Sequence, residues 1–184
     1  MSSILISMVS APGSGKTSLS VKLFSYLKEI DNISVEYSSE VAKQWVYEGK
    51  KVNKYGQFIL FGAECANQSR LINADLDVII SDSGLMLSGF YNHYYFGDDS
   101  LSAPCREFYK KVTEDGVTVL NFFLPRKKKY NPKGRYQTQE QADQIAKDLL
   151  TWLDNEGYEY EILDCSEKER LERVVEKIRE VRGY

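Results

Sequence analysis

The run Ser10-Ala11-Pro12-Gly13-Ser14-Gly15-Lys16-Thr17 lies between an apolar, strand-like stretch from Ile4 to Val9 and a helical stripe of Leu19, Leu23, Leu27 and Ile30. A strand this apolar needs strand neighbours on both sides and cover on both faces. The helix that follows is suited to supply part of that cover. The unit points to an α/β layering, which the alternation of strands and helices along the rest of the chain argues for. The loop itself has the chemistry of a phosphate cradle. Glycines at 13 and 15 let successive N–H groups converge on one polyanion, and the helix behind adds its positive end. Pro12, Gly13, Ser14, Gly15, Lys16, Thr17 and Ser18 are the expected phosphate-binding residues, with Lys16 on the β- and γ-phosphates and the Thr17 hydroxyl on Mg²⁺. The motif G-x-x-x-x-G-K-[ST] places a glycine where this chain has Ser10.

The rest of the chain alternates strand and helix patterns. Strands are expected at 3–9, 33–37, 77–81, 117–124 and 158–163, and helices after the loop, at 39–49, 56–74, around 102–114, from Thr138 to about Asn155, and from Ser166 onward. Thr138 with Gln141, and Ser166 with Glu169, have the spacing of capping boxes. The aromatic stretch after Asp82 (Phe90, Tyr91, Tyr94, Tyr95, Phe96) shows no clear period, and its rings suit either packing or stacking on a base. The expected architecture is a three-layer P-loop kinase-type α/β fold: a five-stranded, mainly parallel sheet and one domain over 1–184, with a basic lid at about 125–138.

Three further groups are candidates for chemistry. Asp82 follows the apolar strand DVIIS and so emerges at a strand's C-terminal end, the edge where open parallel sheets bind ligands. It suits a metal-holding carboxylate or a general base, or else a turn-forming residue in Asp82-Ser83-Gly84. Glu40, just past the second strand, suits an acceptor-binding or basic role, or equally an acid favoured at a helix start. Residues 126 to 135 hold six of the 24 basic residues and no acid, which leaves 18 basic against 27 acidic residues elsewhere, a net −9. Arg126 and Arg135 in that segment suit forked recognition of a transferring phosphoryl group, while its lysines also read as simple solvation.

Composition excludes several classes. No apolar run is long enough to cross a bilayer, and no signal peptide opens the chain, so a cytoplasmic setting is expected. Three scattered cysteines fit reduced thiols, and one histidine offers no zinc site. A net charge of −3 gives no general drive toward nucleic acid. Oligomeric state has no readable signature.

Four stretches carry a family likeness: SAPGSGKTSL, EYSSEVAKQWVYEGK, DVIISDSGLMLSGFY and RKKKYNPKGRYQTQEQADQIAKDLL. On these the chain resembles small P-loop kinases related to the ribosylnicotinamide kinase domain of NadR-type proteins, particularly the stand-alone bacteriophage members. The resemblance implies ATP and Mg²⁺ as co-substrates and phosphoryl transfer to a hydroxyl. It puts Lys16 and Thr17 on phosphates and metal, Asp82 in the base or metal role, Glu40 near the acceptor, and Arg126 and Arg135 in a lid. No adenylyltransferase domain is expected ahead of the kinase-like part. The expected acceptor is a nucleoside, nucleotide or ribosylnicotinamide. A 5-hydroxymethylpyrimidine base in DNA is the alternative, and a non-catalytic NTP-binding switch a second one.

Overall fold

A computed structural model describes residues 3–30 and 32–183. Among these, the elements run β1 (Ile4–Val9), α1 (Lys16–Lys28), β2 (Val35–Ser38), α2 (Val41–Tyr47), α3 (Lys54–Ile72), β3 (Val78–Ser81), α4 (Met86–Phe96), α5 (Ser102–Glu114), β4 (Thr118–Phe123), α6 (Gln139–Asn155), β5 (Glu161–Ile162) and α7 (Glu167–Arg182). The five strands form one sheet in the order β2-β3-β1-β4-β5, and every pairing is parallel.

The central strands β1 and β3 bury both faces, and the period of two divides the core. Leu5, Val9, Ile79 and Phe123 point into one layer with Phe90, Cys105, Tyr109, Ile145, Leu149 and Trp152 of α4, α5 and α6. Ile4, Ile6, Met8, Val78, Ile80 and Phe122 point the other way, onto Leu19, Leu23 and Leu27 of α1 and Val174, Val175 and Ile178 of α7. This is the expected three-layer fold with a five-stranded sheet, and here it is wholly parallel.

The helix over 86–96 corrects the sequence expectation of an irregular stretch. Its run MLSGFYNHYYF is apolar or aromatic on nearly every side, so it shows no contrast of period 3.6. The contrast is missing because α4 is nearly surrounded: Phe90 and Tyr94 pack on α6 and the sheet layer, while Gly89 lets the Trp152 ring approach to 3.2 Å of where a Cβ would stand. The fifth strand is also shorter than expected, two residues instead of six. Both capping boxes form.

Ser10 has a structural use that explains the departure from glycine. It is fully buried at the end of β1, and its Oγ accepts the N–H of Leu124, at the end of the neighbouring β4, across 2.5 Å. The same hydroxyl donates to the Val9 carbonyl. Ser10 thus ties the start of the loop to the adjacent strand. A buried arginine makes the corresponding tie from α7: Arg170 donates to the carbonyls of Leu163 (3.0 Å), Ser14 (3.4 Å) and Pro125 (2.5 Å). Substituting Ser10→Ala leaves the buried Leu124 amide without a partner. We expect a loss of about 1–3 kcal/mol, read from the urea unfolding midpoint; an unchanged midpoint contradicts the tie.

Candidate active site

Since β1 and β3 are parallel neighbours with Ser7 opposite Ser81, the loops that leave them emerge side by side at one sheet edge. At that edge Gly13 and Gly15 adopt φ of 79° and 101°, conformations open to glycine, and α1 starts at Lys16. A Cβ on Gly13 would also meet the Tyr130 ring at 2.8 Å, so the segment 125–138 lies against the loop here. The Lys16 ammonium donates to the Ser10 carbonyl at 2.7 Å and the Ala11 carbonyl at 3.3 Å.

Asp82 is 1% exposed and sits beneath the loop. Its Oδ2 accepts from Thr17 Oγ1 at 2.7 Å and from the Tyr37 hydroxyl at 3.1 Å, and its Oδ1 from Ser20 Oγ at 3.4 Å. Burial and the Asp82 carboxylate push the Tyr37 phenol well above its ordinary range, so it stays a donor. The Thr17 hydroxyl beside one carboxylate is an all-oxygen pair. It matches the preference of Mg²⁺ for one or two protein oxygens completed by water and phosphate. Among the described residues no group of three or more His, Cys, Asp or Glu could hold a metal by itself.

In front of the loop opens a cavity of about 800 Å³. Its floor is formed by residues 12–18. Glu40, Lys43, Gln57, Leu60 and Glu64 line one side, Leu87, Tyr91, Tyr94 and Tyr95 another, and Asn131 to Gln137 the roof. The roof is fastened to both walls. The Tyr136 hydroxyl donates to the Lys50 carbonyl, Gln137 Nε2 donates to the Tyr95 hydroxyl at 2.6 Å, and Gly134 packs on the Tyr47 hydroxyl.

Two glutamates on the cavity wall divide a task between them. Glu40 is the N-cap residue of α2, yet its side chain caps none of that helix's amides. The first amide of the helix is met from α3: Glu64 Oε1 accepts the Val41 N–H at 2.8 Å. Glu40 caps nothing and lines the cavity. Burial raises its carboxyl above the usual range, opposed by the cations of Lys16, Lys43 and Arg135 and assisted by Asp82. Burial likewise pushes Glu64 up to about 7. The Val41 amide pulls it down, and the charges on Glu40 and Asp82 push it further up.

The structure thus brings Lys16, Thr17, Glu40, Asp82 and Arg135 around one site. Asp82 lies behind the cavity wall, and Glu40 lines it. Arg126 is placed apart from the lining: it pairs with Asp143, donates to the Lys128 carbonyl at 3.2 Å and stacks over Tyr130. Arg135 also stacks over Tyr130, 5.5 Å from the ring centre, and lines the cavity. His93 is an exposed partner of Asp99 at 2.6 Å. The sequence reading missed Glu64 and Tyr37. Glu64 looks like a solvated acid in the polar stretch AECANQSR, and Tyr37 like one strand residue among others.

A parallel five-stranded sheet whose first strand ends in this loop, with a carboxylate from the adjacent strand on Thr17, defines a P-loop kinase fold. A family model described as an AAA domain matches residues 5–170, so the chain belongs to that family. Solved structures share the fold. A NadR protein in complex with NR superposes with a TM-score of 0.73 at 18% identity, covering 99% of this chain and 52% of that one. Thymidylate kinase from Ehrlichia chaffeensis gives 0.65 at 14% identity (97% and 99%), and deoxyadenosine kinase from M. mycoides with bound dATP gives 0.58 at 15% (95% and 98%). The chain spans about half the length of the NadR chains it matches. No curated protein matches the sequence. No helix of the described residues is long and apolar enough to cross a membrane.

The raised Glu64 carboxyl has a definite consequence for pH. Its folded value near 7 exceeds the ordinary 4.5, so the folded state holds a proton that the unfolded state gives up between these values. Stability is then lost as pH rises from about 4.5 through about 7. We expect the unfolding free energy of the wild type to fall relative to Glu64→Gln across that window, by up to about 3 kcal/mol. Parallel pH profiles for the two proteins contradict this.

Proposed function

We propose that the chain is an ATP-dependent kinase that moves the γ-phosphate to a hydroxyl of a small nucleoside-type acceptor held in the cavity. The observation that carries this reading is Glu40: an uncapped, half-buried carboxylate on the cavity wall, within the field of Lys16 and Arg135. In the proposed reaction residues 12–18 hold the polyphosphate, with the Lys16 ammonium on its β- and γ-oxygens. Thr17 and Asp82 are the residues that would hold Mg²⁺, which neutralises charge on those oxygens when bound.

Glu40 orients the acceptor hydroxyl and takes its proton as the oxygen attacks the γ-phosphorus. The bond from that phosphorus to the β–γ bridging oxygen breaks, and ADP leaves. The full set of hydrogen bonds on Asp82 suits metal holding and leaves the base role to Glu40. Segment 125–138 acts as a lid, and Arg135 stabilises the charge of the transferring group from the roof. Arg126 holds that lid in place through Asp143 and Tyr130.

Two observations favour a free small molecule over a base in DNA. The roof is fastened to both walls of the cavity. Three of the six basic residues of the segment are also paired internally, Arg126 with Asp143, Lys127 with Asp164 and Lys128 with Glu167, which removes much of a phosphate-backbone footprint. The likeness to bacteriophage kinases still makes hydroxymethylated DNA the right competitor in the assay.

The test offers radiolabelled ATP and Mg²⁺ with ribosylnicotinamide, the common nucleosides and nucleotides, and a hydroxymethylated oligonucleotide in parallel. Label on one of the small acceptors is expected; label on DNA alone, or on nothing, overturns the reading. Glu40→Gln is expected to lower kcat by about 10²–10⁴-fold with little change in the KM for ATP. Asp82→Asn is expected to weaken Mg²⁺-dependent ATP-analogue binding by calorimetry. The opposite assignment of these two effects makes Asp82 the base. Arg135→Ala should lower kcat more than ATP affinity, and equal losses would make it a ground-state contact.

A further inference from the structure

Glu64 is 5% exposed, and one of its two carboxylate oxygens is fully accounted for by the Val41 amide. The other, Oε2, is buried and has no hydrogen-bond donor among the described residues. A buried carboxylate oxygen without a donor is costly, on the order of 1–3 kcal/mol, and most such atoms in folded proteins find a partner. This one belongs to a residue that lines the cavity, one turn beyond Leu60 on the same face of α3. Its side chain is already held in place by the α2 cap, so Oε2 is presented at a fixed position. Glu40, the adjacent carboxylate, precedes Val41 directly.

We propose that Glu64 is a specificity-determining residue that accepts a hydrogen bond from a second hydroxyl of the acceptor, beside the hydroxyl that Glu40 activates. The inference rests on the kinase reading above and deepens it: the acceptor class is a sugar-bearing molecule with at least two hydroxyls, a ribonucleoside rather than one of its deoxy counterparts. Tyr91 and Tyr95, stacked 5.7 Å apart, lie on another wall of the cavity and suit the planar base. The sugar then lies between the phosphate loop and α3, with one hydroxyl on each glutamate. The free oxygen of Glu64 selects for that second donor because an acceptor lacking it leaves the oxygen buried and unpaired.

The test, run at about pH 8 so that the Glu64 carboxyl is ionised, takes the ribonucleoside that the wild type phosphorylates best among ribosylnicotinamide, adenosine, guanosine, cytidine and uridine, with its 2′-deoxy and 3′-deoxy counterparts. Glu64→Gln is the informative variant. Its amide oxygen still accepts from Val41, but the group replacing Oε2 donates and no longer accepts. The wild type is expected to prefer the ribonucleoside over one of the two counterparts by at least about tenfold in kcat/KM. Glu64→Gln is expected to lose that preference through a rise of about tenfold or more in the ribonucleoside KM, with the KM for ATP and the rate on the disfavoured counterpart little changed. Equal losses on all three acceptors, or a preference that survives the substitution, overturns the role and leaves Glu64 as the α2 cap alone. Should the variant fail to fold, the wild-type series decides: indifference to both missing hydroxyls overturns the role. Transfer to none of the acceptors overturns the kinase reading itself, an outcome distinct from each of these.

Discussion

The hydrogen bond from Thr17 to Asp82, 2.7 Å long, is the contact on which the site depends. It joins the first turn of α1 to the residue after β3, and it exists because β1 and β3 are adjacent parallel strands in fixed register. A slip of one residue in that pairing would send Asp82 to the other side of the sheet edge and leave the loop without its carboxylate. The apolar strands, the two core layers and the buried ties at Ser10 and Arg170 all serve to hold that register. Tyr37 and Ser20 then complete the hydrogen bonds of Asp82, so a carboxylate 1% exposed stays satisfied.

From this anchor the two halves of the site separate. The donor half is built on backbone and is local in sequence, since residues 12–18 form one turn between β1 and α1. The proposed acceptor half is assembled from pieces far apart: the N-terminus of α2, the face of α3 at Gln57, Leu60 and Glu64, the tyrosines of α4 and the roof at 131–137. At its centre Glu64 takes the first amide of α2, while the side chain of the N-cap residue Glu40 caps none. One carboxylate structures the wall, and the other lines the cavity.

That division explains what was legible in the sequence. The loop, the C-terminal ends of β1 and β3 and the two capping boxes are short-range signals, and each appears where the pattern places it. Helix α4 was not legible, because a segment buried on most sides loses the polar face from which a helical period is read. Ser10 read as an irregularity until Leu124, more than a hundred residues away, supplied its partner. Glu64 and Arg170 were invisible for a related reason. In AECANQSR and EKERLERVVEK an acid or a base looks solvated, and only the fold shows that one faces a cavity and the other three carbonyls. Arg126 and Arg135 were indistinguishable by sequence; Asp143 engages the first and the cavity roof holds the second.

In the proposed reaction the cavity joins a nucleotide's phosphates on the loop to a hydroxyl on Glu40. A crystal structure with a non-hydrolysable ATP analogue, Mg²⁺ and a nucleoside tests it most directly. The expected complex has the γ-phosphate against Lys16, the metal on Thr17 and Asp82, and a nucleoside hydroxyl in contact with Glu40, about 3–3.5 Å from the γ-phosphorus. Phosphates bound away from residues 12–18, or a nucleoside hydroxyl held far from Glu40, would contradict it.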